Sequence, residues 1–387
     1  ITKVGEKEYL NSVNSMQLNE DYVAAFMGSQ LQLHTLGESA IESRESILFP
    51  TQDSNEGKIT SFYLSKEFLV YSTENGNINH FYIDEWQFVN RYKHDTGVKK
   101  IFPEPFGVSL VFIDDKNEGF VYNPINSTLI KIPSFPSSVS GIIWESYEAE
   151  KWIFVAYNGD YIYTFVFSKF TVEGSQSLFV SSTKQPYSSM PLLLFKGVLI
   201  YLDSSGKIVQ LKLDSHTHDT TLEDLKQEEL VEKMRKNYKL KRFEEAYVYA
   251  TRINDTNDLG EFAKEALFHL DIDYAIRVYR LASMPDMVFA LNSIKHIEEK
   301  NLLAGHCLVF LGKFDQAQTM FLASSCPIEA LNMRRDLMHW DAAMKLAKGL
   351  ASNETPYISL EYGKQLEFIG DYPTALKMFE RGLTEND

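Results

Sequence analysis

Residues 1–215 alternate apolar and polar positions in short runs separated by turn residues, the pattern of brief β-strands. One 16-residue unit of strand, turn and strand recurs. It reads DYVAAFMGSQLQLHTL from residue 21, FLVYSTENGNINHFYI from 68, SLVFIDDKNEGFVYNP from 109, WIFVAYNGDYIYTFVF from 152 and VLIYLDSSGKIVQLKL from 198. Successive starts are 47, 41, 43 and 46 residues apart. Turns such as Glu74-Asn75-Gly76 and Ser205-Gly206 suit hairpins because Asn and Gly accept positive φ. Further apolar runs flank most units, such as ITSFYL (59–64) before one and WQFVNRY (86–92) after it. Each period therefore predicts about four strands, the signature of a propeller blade. A plain β-sandwich is the alternative, and the even spacing of five hairpins argues against it.

Five hairpins are fewer than the usual six to eight or so blades. The fifth unit also has no outer strand in view, since SHTHDTTLED (215–224) leads directly to helix. The expectation is an all-β propeller over 1–215, incomplete in this chain, with 216–224 as a connector. No hairpin carries a Trp-Asp dipeptide, so any WD repeats here are degenerate. Residue 1 is Ile, which points to a segment of something longer.

From about residue 221 the apolar period becomes helical. Thr221-Leu-Glu-Asp224 precedes an apolar stripe and predicts an N-cap. A large residue followed three positions later by Ala then recurs: Phe243…Ala246, Ile272…Ala275, Phe314…Ala317, Trp340…Ala343 and Tyr372…Ala375. The alanines are 29, 42, 26 and 32 residues apart, close to the about 34 of a tetratricopeptide unit. A small residue lets two helix backbones approach, and a large one a turn earlier fills the space beside the crossing. Gly312 and Gly370 stand where helix C-caps with positive φ are needed. Residues 225–387 are therefore expected to begin a tetratricopeptide-like α-solenoid.

Several stretches invite chemistry. SSCPIEALNMRRDLMHWDAAM (324–344) holds Cys326, Arg334, Arg335, His339 and the chain's only Trp-Asp dipeptide. By its register HWDAAM aligns with KFDQAQ and DYPTAL, so Trp340 is a helix-seam wedge, Ala343 its seat and Asp341 an early-helix acid. Cys326 and His339 could pair as nucleophile and base, yet no third orienting group accompanies them. His216, His218 and Asp219 form half of a metal-ligand set without matching ligands nearby. Asp114-Asp115-Lys-Asn117-Glu118-Gly119 is rich in oxygen but sits at a hairpin turn position. We expect no catalytic residue, cofactor or metal, and take Arg334, Arg335 and His339 as a protein-interaction feature. Of two adjacent arginines on a helix, one can pair internally while the other reaches a partner.

Charge narrows the partners. Residues 1–220 carry 17 Lys and Arg against 26 Asp and Glu, and 221–387 carry 21 against 27, for a net charge of −15. Neither half has the basic excess of a nucleic-acid binder. Cys307 and Cys326 are the only cysteines, so there is no disulfide framework. The longest apolar stretch, LLAGHCLVFLG (302–312), is about half what a membrane helix needs.

Longer runs carry a resemblance. SFYLSKEFLVYSTENGNINHFYIDEWQFVNRYKH (61–94) and LVFIDDKNEGFVYNP (110–124) resemble the second propeller of a WD-repeat and tetratricopeptide subunit family of intraflagellar transport complex A. KHIEEKNLLAGH (295–306), LASSCPIEALNMRRDLMHWDAAMKLAK (322–348) and QLEFIGDYPTALKMFERG (365–382) resemble the start of its helical solenoid. The resemblance covers about 59–387 and implies a mid-protein fragment, since two propellers precede the solenoid in that family. It implies a non-enzymatic ciliary scaffold with retrograde-transport and cargo-entry roles. Its partners would be other complex A subunits, with a tubby-like cargo adaptor and ciliary dynein trains engaged indirectly. A vesicle-coat subunit of the COPI type shares the same plan and stands as the alternative.

Overall fold

The computed structural model describes residues 8–9, 11–36, 46–51, 56–105, 109–185, 191–202, 205–217 and 225–383. The chain divides into two compact units, one of residues 1–168 and 175–220, the other of 169–174 and 221–387. Among the described residues the first unit holds five antiparallel sheets in chain order. The first is β1 (Ser15–Leu18), β2 (Tyr22–Met27), β3 (Gln30–Thr35) and β4 (Ser46–Phe49). The second is β5 (Ile59–Leu64), β6 (Phe68–Thr73), β7 (Asn77–Tyr82) and β8 (Gln87–Lys93). The third is β9 (Val98–Pro103), β10 (Leu110–Asp114), β11 (Gly119–Asn123) and β12 (Thr128–Lys131). The fourth is β13 (Gly141–Trp144), β14 (Ile153–Tyr157), β15 (Tyr161–Ser168) and β16 (Gln176–Lys184). The fifth has three strands, β17 (Pro191–Phe195), β18 (Val198–Leu202) and β19 (Ile208–Lys212).

Side-chain alternation explains why these sheets stand beside one another as blades. Successive strand residues point to opposite faces, so one strand supplies two seams. Leu69 and Tyr71 of β6 pack with Leu31, Leu33 and Phe49 of the first sheet, whereas Val70 packs with Leu110 and Phe112 of the third. Val111 and Ile113 of β10 then join Phe154 and Phe165 of the fourth sheet, and Val155 of β14 joins Leu199 and Tyr201 of the fifth. The middle strands β10 and β14 are buried along their whole length, while the outer strands β8 and β12 alternate with exposed positions.

The first strands of successive sheets adjoin, β1 with β5, β5 with β9 and β13 with β17. Side chains stitch them together. Gln17 of β1 donates to Phe62 O at 3.3 Å and accepts from Leu64 N at 2.7 Å. Thr60 of β5 donates to Val98 O at 2.5 Å, and Ser61 accepts from Ile101 N at 3.3 Å. Trp144 of β13 donates through Nε1 to Phe102 O at 2.8 Å. Beyond Trp144, Ser146 N donates to Leu194 O at 3.0 Å. Each sheet thus presents its first strand toward one shared axis, as in a propeller.

The second unit is helical: α1 (Gln227–Lys239), α2 (Phe243–Ala250), α3 (Thr256–Phe268), α4 (Ile272–Leu281), α5 (Pro285–Ile294) and α6 (Lys300–Phe310) come first. They are followed by α7 (Phe314–Leu322), α8 (Ile328–Asp336), α9 (Trp340–Leu350), α10 (Thr355–Ile369) and α11 (Tyr372–Gly382). Helices adjoin in antiparallel pairs, α1 with α2, α3 with α4, α6 with α7, α8 with α9 and α10 with α11, a solenoid-like stack. The five seat alanines, 246, 275, 317, 343 and 375, are all at most 2% exposed. The Thr221–Asp224 cap expected from the sequence lies outside the described residues, and α1 begins after Lys226. The short segment 169–174 belongs to this unit too. Val172 is fully buried in the helical core, its N–H donating to Phe268 O at 2.9 Å, and Glu173 pairs with Lys313 at 2.6 Å.

One turn recurs through the stack. Lys241, Leu270, Gly312, Met338 and Gly370 have φ of 62, 59, 75, 57 and 94°, and each stands two residues before the first residue of the next helix. The next N–H donates back to a carbonyl five residues earlier: Arg242 to Asn237, Asp271 to Ala266, Lys313 to Leu308, His339 to Arg334 and Asp371 to Leu366. This is the Schellman ending, and it starts the second helix of every pair in the same register.

The stitch model makes a test. Trp144→Phe keeps an apolar ring at a 4% exposed position but removes the Nε1 donor to Phe102 O. It should lower unfolding free energy by about 1–3 kcal/mol, read from the urea midpoint.

Candidate interaction face

Arg334, Arg335 and His339 lie at the α8–α9 corner, and the structure gives them different tasks. Arg334 is 6% exposed. Its guanidinium donates from Nε to Gln318 Oε1 at 2.8 Å, from one terminal nitrogen to Asp315 Oδ1 at 2.5 Å and from the other to His339 Nδ1 at 3.1 Å. A guanidinium cannot accept, so Nδ1 of His339 is the acceptor and its ring proton sits on Nε2. Arg334 is therefore a clamp across α7, α8 and the start of α9. Arg335 is partly exposed and pairs with Glu354 at 3.6 Å and Asp336 at 3.9 Å. His339 is exposed, its ring edge-on to Phe314 at 5.9 Å.

Arg334 and His339, but not Arg335, line an open groove of about 370 Å³ together with Asp315, Met338, Trp340, Asp341 and Tyr362. Trp340 is only half-buried. It stacks on Tyr362 with centroids 5.9 Å apart, donates Nε1 to Gln365 and packs with Leu331 and Ala343. The seam reading holds at this position, with the ring bridging α9 and α10. It does not extend to Tyr372, which is 68% exposed, because Leu366, Met378 and Phe379 fill the α10–α11 seam instead. An aromatic floor with an acid, an imidazole and an exposed Met338 suits a peptide or helix contact.

The other tempting chemistry comes apart in three dimensions. Cys326 precedes α8 and His339 follows it, so a nine-residue helix, about 13 Å long, separates nucleophile from base. Burial pushes the Cys307 thiol up to about 12, and its side chain is fully buried, so it is chemically inert. The acid-rich stretch at Asp114 is the β10–β11 turn, with Glu118 N donating to Asp114 Oδ1 at 2.7 Å. His216 is buried, its Nδ1 hydrogen-bonded to the Ser215 hydroxyl at 2.9 Å, while His218 and Asp219 lie outside the described residues.

A second concavity lies in the first unit. It is about 520 Å³, walled by Tyr63, Phe68, Val70, Pro103 and Ile125, with His80 in its lining. His80 is 5% exposed, and burial pushes its imidazole down to about 4. Nothing in its local sequence, NINHFY, marks it beyond the strand pattern.

Comparison with known proteins decides the family. The family model described as the WDR19 second beta-propeller matches residues 1–216. The chain belongs to the WDR19 family. Two mammalian members, both WD repeat-containing protein 19, from Homo sapiens and Mus musculus, are 43% identical over 387 residues. The alignment spans 99% of this chain and 29% of theirs. WD repeat-containing protein dyf-2 of Caenorhabditis elegans is 36% identical over 385 residues, 99% of this chain and 28% of that protein. The chain thus spans less than a third of these WDR19-family relatives. Among solved structures, Kluyveromyces lactis Hsv2p is 14% identical, covering 51% of this chain and 66% of that one with a TM-score of 0.40. The designed Ika8 protein is 11% identical, covering 53% and 59%, with a TM-score of 0.39. Likenesses of that size carry no argument.

Two outcomes follow. Trp340→Ala removes a ring that spans two helices and should cost about 3 kcal/mol, measured by thermal or urea unfolding. For His80 the folded value lies below the unfolded one of about 6.5. Its neutral ring is therefore fully compatible with folding above pH 6.5 or so, and stability is lost as pH falls toward 4. His80→Phe should remove about 3 kcal/mol of that acid sensitivity, seen as a flatter melting temperature between those pH values.

Proposed function

We propose that this chain is a scaffold segment of intraflagellar transport complex A, working without catalysis at the ciliary base and along the axonemal shaft. The observation that carries the reading is WDR19-family similarity over 99% of the chain. The architecture supports it. A blade stack and a helical stack each touch mainly their own neighbours, so both offer long surfaces that hold partners at fixed spacings. The groove beside Trp340, lined by His339 with Arg334 fixing the corner and with Arg335 next to it in the chain, is the proposed subunit-contact face. Other complex A subunits are the direct partners. Retrograde transport with the ciliary dynein, and entry of membrane-protein cargo through a tubby-like adaptor, follow from membership of that assembly. Among the described residues no helix is long and apolar enough to cross a membrane.

The test is affinity purification of the tagged, full-length protein from ciliated cells. Complex A subunits should co-purify stoichiometrically, and Met338→Asp, at an exposed position of the groove lining, should weaken their recovery without changing the melting temperature. Recovery of Golgi vesicle-coat subunits instead would overturn the ciliary reading in favour of a coat.

A further inference from the structure

We infer that the first unit contains a binding site for one divalent transition-metal ion of the zinc class, formed by Glu145, Glu150 and His216. One ligand atom from each of the three lies within 4.8 Å of the others. The residues come from three places: Glu145 directly after β13, Glu150 from the short 3₁₀ turn Glu148–Glu150, and His216 beyond β19. Their exposures are 0, 8 and 4%. This separates the cluster from the exposed acidic patches that any acidic protein carries.

The site is built rather than incidental. The Glu145 carboxylate is held from two directions, with Tyr147 N and Lys196 N donating to Oε1 at 3.1 and 3.0 Å and Gly197 N to Oε2 at 3.2 Å. These amides fix where its oxygens point and leave lone pairs for a cation. The Ser215 hydroxyl engages His216 Nδ1 at 2.9 Å, orienting the ring as an outer-shell partner does for a metal-bound imidazole. Gly197 gives an independent sign. It adopts φ +72°, and a Cβ there would come within 2.2 Å of the His216 ring, so the turn is shaped to let the imidazole lie against it.

Charge supplies the driving force. Two carboxylates this close repel each other, and a cation held between them relieves that repulsion. Lys196, on the turn that holds Glu145, has its ammonium over the rings of Tyr147 and Phe195, at 4.4 and 5.7 Å from their centroids. A protonated imidazole would supply one charge, whereas a divalent ion supplies two and keeps the imidazole neutral and ligating. Mixed carboxylate and imidazole donors favour zinc-class ions over calcium or magnesium, which prefer all-oxygen sets. Three protein ligands leave one position for water. The ion would pin the turn between β17 and β18 against the end of β13.

The experiment uses the whole 387-residue chain, stripped with a chelator and dialysed against limiting zinc. One zinc per folded chain is expected by elemental analysis, with a higher melting temperature. Glu150→Gln and His216→Gln should each weaken zinc binding by about tenfold or more. Cys326→Ser should leave it unchanged. Absence of uptake by the folded parent overturns the proposal, as does uptake equal in parent and both variants, which would mean an adventitious ion only. Cobalt(II) added to the unmodified chain gives a readout that no variant's folding can obscure. A visible d–d band saturating at one equivalent is expected, and its absence overturns the site.

Discussion

Among the described residues, no sheet in the first unit has a core of its own. The middle strands β6, β10 and β14 divide their apolar residues between two neighbours, so Leu69 and Tyr71 serve one seam while Val70 serves the next. A single blade cut free would expose both faces, and its burial exists only as a property of pairs. The hydrogen bonds from Gln17, Thr60, Ser61 and Trp144 carry this dependence to the inner strands. They satisfy backbone groups that face the neighbouring sheet, where a lost partner leaves a buried amide or carbonyl unpaired. Shape and polarity therefore enforce the same adjacency.

The helical unit solves an analogous problem with a turn. A pair of helices can bury its facing stripes only if the second begins in the right rotational register. The repeated Schellman ending sets that register, and the alanine seats, each at most 2% exposed, let the backbones close. Lys241, Leu270 and Met338 occupy the left-handed region without being glycine, which carries a conformational cost. That cost is tolerated because the carbonyls five residues back are satisfied. A surface made this way is rigid at its corners. The Arg334 clamp ties α7 to the start of α9 beside the groove at Trp340.

Much of this was readable in the chain, for definable reasons. Period-two alternation and Gly-bearing turns placed the five hairpins, and the large-residue and Ala spacing placed the second helix of each pair. The turn itself was visible only at Gly312 and Gly370, because a lysine, a leucine and a methionine give no local sign of positive φ. The wedge rule overreached at Tyr372, since sequence spacing says nothing of which neighbour fills a seam. Arg334, Arg335 and His339 stood out in the sequence by their density of charge. Their division into a buried clamp and an exposed border depends on Asp315 and Gln318, which lie on another helix. Glu145 was missed altogether. It reads as one acid after GIIW, and its partners Lys196, Gly197 and His216 stand more than fifty residues away. The only signal was a lone charge at the end of an otherwise apolar run.

The central claim is that the blades are held as one cooperative body by seams and inner-strand stitches. Native-state hydrogen exchange at Leu64, Ile101, Lys196 and Gly197 tests it most directly, because these amides donate across sheets to Gln17, Ser61 and Glu145. They should exchange with the same opening free energy as the ladder amides of β10 and β14, as parts of one cooperative unit. Rapid exchange at these four while β10 and β14 stay protected would contradict the claim, and so would protection that falls away sheet by sheet.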